Sequence, residues 1–449
     1  MKVMSITISE ISATYRFKLV VILISILIGF GAIVNRGLLT IAIALIVLTA
    51  IMRGYTKLCI HIVSNLRVSI PSYIGYEGEE KVVEISIENP TYIPIAFLEI
   101  SINYSPFLKL VGGTKSALLL IPPRGKAVVK LVFNARLGRH VVGPIKTVVR
   151  DPLGLYRSSE IMIGRKSYLE IYPRVSETVV RKLLVFTRST GIVRTRQRGS
   201  GVEIHSIREY TPYDDVRRIL WKYYASKRKL VVKDTERETM QNILFILDAT
   251  PPMFIGPYGY TPFEHCSRTI ASIARYLAHR GDLMGIAIFT RKYIEVSPRF
   301  ERGMKGYKNV INYIKNIDFD TDDTDDSVRA LRIEGLFRKT ISMLPRERSI
   351  IFIFTTSGGK TYREILAKYV NILREMMHEI YIVIPITTIY EIKGLPEWGQ
   401  AIFRIKTYEA MKREIEFANS LKHMGIDVIA AGPQHIPQLI VSMIEMRRY

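Results

Sequence analysis

Two apolar runs near the N-terminus, residues 19–34 and 38–52, constrain this 449-residue chain more than any other feature. The first is interrupted only by Ser25, Gly29 and Gly31, and carries twelve Leu, Ile, Val or Phe. The second has Thr40 and Thr49 as its only polar residues. Between them Asn35, Arg36 and Gly37 have the composition of a turn. A helix that is apolar on every face does not suit the surface of a soluble domain. Each Leu, Ile, Val or Phe favours bilayer insertion by about 0.3–0.6 kcal/mol, so the first run contributes several kcal/mol. Both runs are shorter than the ~20 residues of an ordinary span, and flanking residues or local thinning make up the difference. No small-residue cleavage site of a signal peptide follows either run. The expectation is a two-helix membrane hairpin over 19–52, preceded by a short N-terminal tail, residues 1–18.

The flanks set its orientation. Lys2, Arg16 and Lys18 precede the first run, Arg53, Lys57 and Arg67 follow the second, and only Arg36 lies in the turn. By the positive-inside rule both ends face the cytoplasm of a plasma membrane, and the remaining mass lies there too. The formal net charge of +23 suits proximity to anionic lipid or another acidic partner. Cys59 and Cys266 are the only cysteines and have no metal-type spacing, which fits a reducing compartment.

Residues 58–175 read as a β module. Segments 81–88, 97–103 and 127–133 alternate with period two, and turn residues fall between them at 78–80, 89–91 and 122–125. Short strands with such punctuation predict an antiparallel, Ig-like β-sandwich. It contains no catalytic cluster, so a spacer or interaction role is expected.

Residues 241–449 read differently, as strands alternating with helices. Strands are expected at 243–247, 283–289, 293–296, 350–354, 380–386 and 427–430, those at 243–247 and 350–354 buried. Helices are expected at 263–279, 306–317, 328–343, 363–377, 408–423 and 435–446. That is a doubly wound, mostly parallel α/β sheet, whose functional edge lies at the carboxyl ends of the strands. Three loops fall there. Asp248 with Thr250 resembles the D-x-S-x-S metal motif of von Willebrand factor type A domains, with Pro252 in place of the last Ser. The acidic stretch 318–326 lies where such domains carry a metal-binding Thr, which makes Thr324 or Thr321 a candidate; otherwise it is a solvated loop at a helix N-terminus. In the third loop Ser357 stands where Asp is usual. Asp248, Thr250, Thr324 and Ser357 therefore outline a degenerate site for Mg²⁺, a hard cation that requires oxygen ligands. No other cofactor is expected. Residues 355–361 imitate a P-loop, but Phe354 occupies the position of its first Gly, which excludes Walker A.

The most distinctive stretch, residues 181–238, precedes this domain. It contains Gly199, Gly201, Glu203, Arg208, Tyr210, Asp215, Arg218, Ile219 and Trp221. This resembles the family known as domain of unknown function 58, whose pattern runs G-x-G-x-E-F…R-x-Y-x-x-G-D-x-x-R-x-I-D-W. Upstream, Gly138, Gly143 and 151–155 match the same family, as does the hydrophobic hairpin. Leu220 and Tyr213 depart from the pattern. The resemblance implies a membrane protein with a type A-like cytoplasmic domain. It also implies a MoxR-type AAA+ ATPase as partner and a part in assembling or maturing other complexes.

Read from the residues alone, Asp214, Asp215, Arg217 and Arg218 can form buried ion pairs, with Trp221 pinning the segment to the sheet. The rival is a docking surface, since residues 181–233 hold fourteen Lys or Arg against four Asp or Glu, interleaved with tyrosines. Anionic lipid or an acidic protein suits that surface, while no DNA- or RNA-binding motif accompanies it. No Ser/His/Asp or Cys/His arrangement has catalytic spacing, so no enzyme and no small-molecule substrate is expected. The reading is a membrane-anchored adaptor; the alternatives are a metal-dependent adhesion or sensor module and a basic surface that binds anionic lipid or nucleic acid.

Overall fold

The computed structural model describes residues 11–33, 35–175, 180–185, 198–212, 214–236, 240–256, 259–317, 325–387 and 397–447. Within these, the side chains of 198–206, 218, 233–236 and 397–403 fall outside the description. The chain divides into two units, Met1–Ile171 and Tyr172–Tyr449.

The first unit opens with β1 (Ile11–Ala13), α1 (Tyr15–Ile33) and α2 (Gly37–Val63). Both helices are long and apolar enough to cross a membrane, and most of their side chains point outward. Gly31 lets them approach: a Cβ there would lie 2.9 Å from Leu39 Cγ. The turn between them is held by Asn35, whose side-chain oxygen accepts from Gly37 N at 2.8 Å. The second helix does not stop where its apolar run does at Met52. It continues to Val63, and Cys59, Ile62 and Val63 are buried in the core of the β module.

That module holds β2 (Arg67–Ser69), β3 (Tyr73–Tyr76), β4 (Glu80–Glu88), β5 (Ile95–Tyr104), β6 (Leu108–Gly112) and β7 (Ser116–Ile121). It continues through β8 (Lys126–Ala135), β9 (Gly138–Arg150), β10 (Tyr156–Ser158), β11 (Ile161–Ile163) and β12 (Ser167–Tyr172). A four-stranded sheet runs β2-β4-β8-β6, and a larger sheet is built on β9, which pairs antiparallel with β5, β10, β11 and β12. The alternating segments explain the packing. Val83, Ile85 and Ile87 of β4 and Leu131 and Phe133 of β8 share one apolar core with Leu98, Ile100 and Ile102 of β5 and Ile145 and Val149 of β9. Intervening residues such as Glu84 and Lys130 face water and pair at 2.7 Å.

In the second unit a helical segment at 180–185 precedes a hairpin of β13 (Arg198–Glu209) and β14 (Val231–Glu236), which encloses the short α3 (Trp221–Lys227). Its main sheet comprises β15 (Asn242–Ala249), β16 (Leu283–Thr290), β17 (Ile294–Val296), β18 (Glu301–Arg302), β19 (Ser349–Phe354), β20 (Glu379–Pro385) and β21 (Asp427–Ala431). The order is β17-β16-β15-β19-β20-β21, parallel except for β17 and β18. All residues of β15 and β19 are buried, as expected of central strands covered on both faces. The covering helices are α4 (Pro262–Arg280), α5 (Gly303–Lys315), α6 (Asp326–Met343), α7 (Lys360–Glu375), α8 (Glu397–His423) and α9 (Ile436–Met446). Ala330 and Ile333 of α6, Leu366 and Val370 of α7 and Phe417 and Leu421 of α8 share a core with Leu244 and Ile246 of β15. From β15 the chain first builds the sheet toward β16, then crosses over to β19. The strand order therefore reverses between β15 and β19, and their carboxyl ends flank a crevice where doubly wound sheets place ligands.

Candidate functional site

Asp248 and Thr250 lie at the carboxyl end of β15, both fully buried. One Asp248 oxygen, Oδ1, accepts from Thr250 N at 2.9 Å and from Thr250 Oγ1 at 2.6 Å. The other, Oδ2, accepts from Arg329 Nε at 3.0 Å and Nη2 at 2.6 Å, and from Thr355 Oγ1 at 2.8 Å. Arg329 is 2 % exposed. Its remaining donors reach Ser357 O at 2.7 Å and Thr356 O at 3.1 Å, and its guanidinium lies 4.2 Å from the ring centre of Tyr362. The Tyr362 hydroxyl meets Thr355 Oγ1 at 2.7 Å. Burial penalises the Arg329 charge, but the adjacent Asp248 carboxylate outweighs it and holds the guanidinium firmly protonated. Burial raises the Tyr362 phenol, so it stays neutral.

Ser357 points elsewhere. Its Oγ donates to Glu414 Oε1 at 2.9 Å and its N–H to Glu414 Oε2 at 2.8 Å. Burial raises Glu414 above the usual carboxylate range, against the two bonds from Ser357 that favour its charge. The Gly359 N–H donates to Asp326 Oδ1 at 2.9 Å, which ties the start of α7 to the start of α6. Of the four oxygen donors expected from the sequence, the structure joins Asp248 and Thr250 and gives Ser357 a different partner. Thr324, like Thr321, lies outside the described residues. Among the described residues no group of three or more His, Cys, Asp or Glu is placed to hold a metal ion.

Sequence reasoning missed Arg329, Thr355, Tyr362 and Glu414. A signal for two of them was present. Arg329 falls in phase with Ile333, Leu336 and Phe337 on the buried face of α6, and Tyr362 with Leu366 and Tyr369 on α7. A charged residue on an apolar stripe requires a buried partner. Which partner it takes depends on strand order.

The signature segment forms a separate arrangement. Gly199, Gly201 and Glu203 lie on β13, whose backbone pairs with β14 through two register shifts. Arg208 grips Asp214 through both guanidinium ends, one of them at 2.7 Å, and Thr211 donates to the same carboxylate through its N–H at 2.8 Å and its hydroxyl at 2.7 Å. These donors hold the Asp214 carboxyl well below its ordinary range. Tyr210 N–H donates to Leu230 O at 3.0 Å. Asp215 accepts from Arg217 N at 3.0 Å and starts a 3-10 turn over Val216–Arg218, in which the Arg218 side chain is not described. The ion pair thus forms between Arg208 and Asp214, and it is partly exposed. Trp221 pins nothing: it is 57 % exposed, and α3 has no buried residue. Tyr223 and Tyr224 are exposed beside it, as are Lys222, Lys227, Arg228 and Lys229.

Residues 206–343 match the family described as "Protein of unknown function DUF58", so the resemblance carried by the signature holds over those residues. No curated protein matches the chain. Several solved structures match a quarter of it. One is a type I cohesin–dockerin complex of Clostridium thermocellum, at 12 % identity over 24 % of this chain and 92 % of that one, with a TM-score of 0.19. A non-cellulosomal cohesin of the archaeon Archaeoglobus fulgidus matches at 14 % identity over 25 % of this chain and 92 % of that one, with a TM-score of 0.18. A CARDB domain of Pyrococcus furiosus, solved with two metal ions, matches at 11 % identity over 24 % and 89 %, with a TM-score of 0.17. At such scores these likenesses assign nothing to the chain.

Proposed function

We propose that this chain is a membrane-anchored, non-enzymatic scaffold that docks an acidic protein face, that of a MoxR-type AAA+ ATPase or its client complex. The observation that carries this reading is the aromatic and basic cluster on α3. Trp221, Tyr223 and Tyr224 stand in water among four cations, Lys222, Lys227, Arg228 and Lys229, on and just after that helix. Exposed Trp and Tyr cost a folded chain solubility, and they are the residues that most often dominate binding energy at interfaces. The family match covers this cluster.

The finer fold assignments support the same picture. An antiparallel edge strand β17, a first strand β15 lying between β16 and β19, and an Asp-Thr loop at the reversal point resemble a von Willebrand type A domain. The two sheets of the first unit resemble an Ig-like sandwich. In this reading α1 and α2 anchor the chain in the plasma membrane with the domains in the cytoplasm, because the cations flank the hairpin ends. A signal sequence cleaved after α1 fits poorly, since its removal would take away β1, which pairs with β10, and Phe17, which packs on Tyr156.

Divalent metal does not fit the Asp248 site. Mg²⁺ demands near-octahedral oxygen coordination. Here both Asp248 oxygens are already engaged, and the Arg329 guanidinium supplies the positive charge that a metal would bring. Partner recognition is therefore assigned to the surface and needs no ion.

The test is cross-linking of the full-length chain in native membranes, with Tyr224 replaced by a photoreactive phenylalanine. Adducts with an AAA+ ATPase or its client, lost in Trp221→Ala, are expected. Adducts with neither, or adducts indifferent to Trp221→Ala, overturn the proposal.

A further inference from the structure

The hairpin is attached to the β module at both of its ends. Where the chain enters α1, β1 pairs with β10, the Thr14 N–H donates to Leu155 O at 2.9 Å, and Phe17 packs on Tyr156 at 5.1 Å between ring centres. Where it leaves through α2, the Tyr55 hydroxyl donates to Pro94 O at 3.0 Å and accepts from Ala96 N at 3.0 Å. Tyr55 lies three residues past Met52, or about 4.5 Å of helix. Thr14 lies five residues before Leu19, about 7.5 Å. Two loops are thereby held at the depth where the apolar runs end. One is 89–94, knitted to 122–125 by the Arg124 N–H donating to Thr91 O at 2.9 Å and the Asn89 N–H donating to Gly125 O at 2.9 Å. The other is 152–155.

What these loops present is unusual for a surface that meets only water. Tyr92 is 71 % exposed, with Ile93 beside it and Leu153 exposed on the second loop. Arg124 stacks 4.0 Å from the Tyr92 ring centre and bonds to its hydroxyl. Across the segments 14–18, 53–57, 89–96, 122–125 and 152–159 there are six Lys or Arg and no Asp or Glu. An exposed aromatic ring whose hydroxyl meets a cation, with apolar neighbours and acid-free positive charge, is the composition of a membrane interface, where Tyr anchors and cations meet anionic headgroups.

We infer that this end of the β module is a lipid-binding face: loops 89–94 and 152–155 rest in the headgroup layer of an anionic bilayer, continuous with the hairpin. This rests on the anchor reading given above. The face holds the module upright on the membrane and fixes the direction in which the chain leaves it.

The experiment uses the full-length chain in phosphatidylcholine–phosphatidylglycerol nanodiscs, with single introduced cysteines carrying an environment-sensitive fluorophore. The native Cys59 and Cys266 are buried and stay unlabelled in the folded protein. Ile22→Cys reports the hairpin, and Tyr92→Cys and Leu153→Cys report the two loops. Glu80→Cys reports the far end of β4, eight residues and about 26 Å from Glu88. With lipids bearing a nitroxide near the headgroup, the labels at 92 and 153 are expected to lose most of their emission, while the label at 80 keeps it. Replacing the phosphatidylglycerol with phosphatidylcholine is expected to reduce the loss at 92. Emission at 92 and 153 retained as at 80, with Ile22→Cys quenched, overturns the lipid-binding face and leaves the anchor standing. Ile22→Cys left unquenched overturns both. Equal quenching at 92 in the two lipid mixtures overturns the preference for anionic lipid.

Discussion

Asp248 shows how one side chain changes meaning once its neighbours are placed. Along the chain it is an acid at the end of an apolar strand, which invites a cation. In the fold the cation is Arg329, eighty-one residues later. Removing one partner of a buried pair leaves the other charged and unpaired, at a cost of about 3–5 kcal/mol, whereas replacing both is far milder. Asp248→Asn and Arg329→Met should therefore each lower the thermal unfolding midpoint sharply, and the double variant should lower it by much less than their sum. Additive losses would refute the pairing. Mg²⁺ or Mn²⁺ should leave the wild-type midpoint unchanged, and calorimetric heat that disappears in Asp248→Ala would contradict this. His265 offers a second test. Burial, aided by Arg268 and opposed by Glu264, brings its imidazole down to about 4. The unfolded chain takes up that proton first as pH falls, so this contribution to stability is complete above pH 6.5 and is lost between 6.5 and about 4. Unfolding midpoints measured across that interval should fall in the wild type by an amount equivalent to roughly 3 kcal/mol more than in His265→Gln.

At the scale of elements, most boundaries were legible because hydrophobic period follows secondary structure directly. The strand expected at 81–88 is Glu80–Glu88, and the helix expected at 263–279 is Pro262–Arg280. The second of these carries its own signals: a capping box of Thr261 and Glu264 at one end and Gly281, at φ 78°, at the other. Two elements read differently in the structure. The last turns of α2 carry Tyr55, Lys57 and His61, so the apolar pattern fades there, yet the helix runs on because Cys59, Ile62 and Val63 face the β core. Ile62→Ala should accordingly cost about 2–5 kcal/mol of β-module stability, measurable by proteolysis of the membrane-bound chain. An effect near zero would show the helix end to be detached. Trp221 also differs, since a large aromatic near an ion pair suggests burial while α3 turns it outward. The reason is local: Asp214 is engaged by Arg208 and Thr211, and the short helix that follows buries none of its residues.

At the scale of the whole molecule, the hairpin and the fold that follows make one prediction about topology. Because β1 and the end of α2 both bind the β module, a spanning hairpin is predicted to have both of its ends on one side of the bilayer and the 35–37 turn on the other. In sealed vesicles a membrane-impermeant thiol reagent should therefore label Arg36→Cys and Glu80→Cys from opposite faces; labelling of both from one face would exclude a spanning hairpin. What the sequence determined alone was everything set by local pattern: the apolar hairpin, the alternation that builds two β sheets, the βα rhythm of the second unit and the signature, which the family match covers from residue 206 onward. Those follow from the period of side chains along a single element, which needs no knowledge of neighbours. Only the tertiary structure decided what each charged group does. Strand order placed β19 beside β15 and so brought Thr355 and Arg329 to Asp248, while Glu414 took Ser357 from the expected cation site. Contacts between residues so far apart in the chain are set by the crossover from one half of the sheet to the other, and no local period records it.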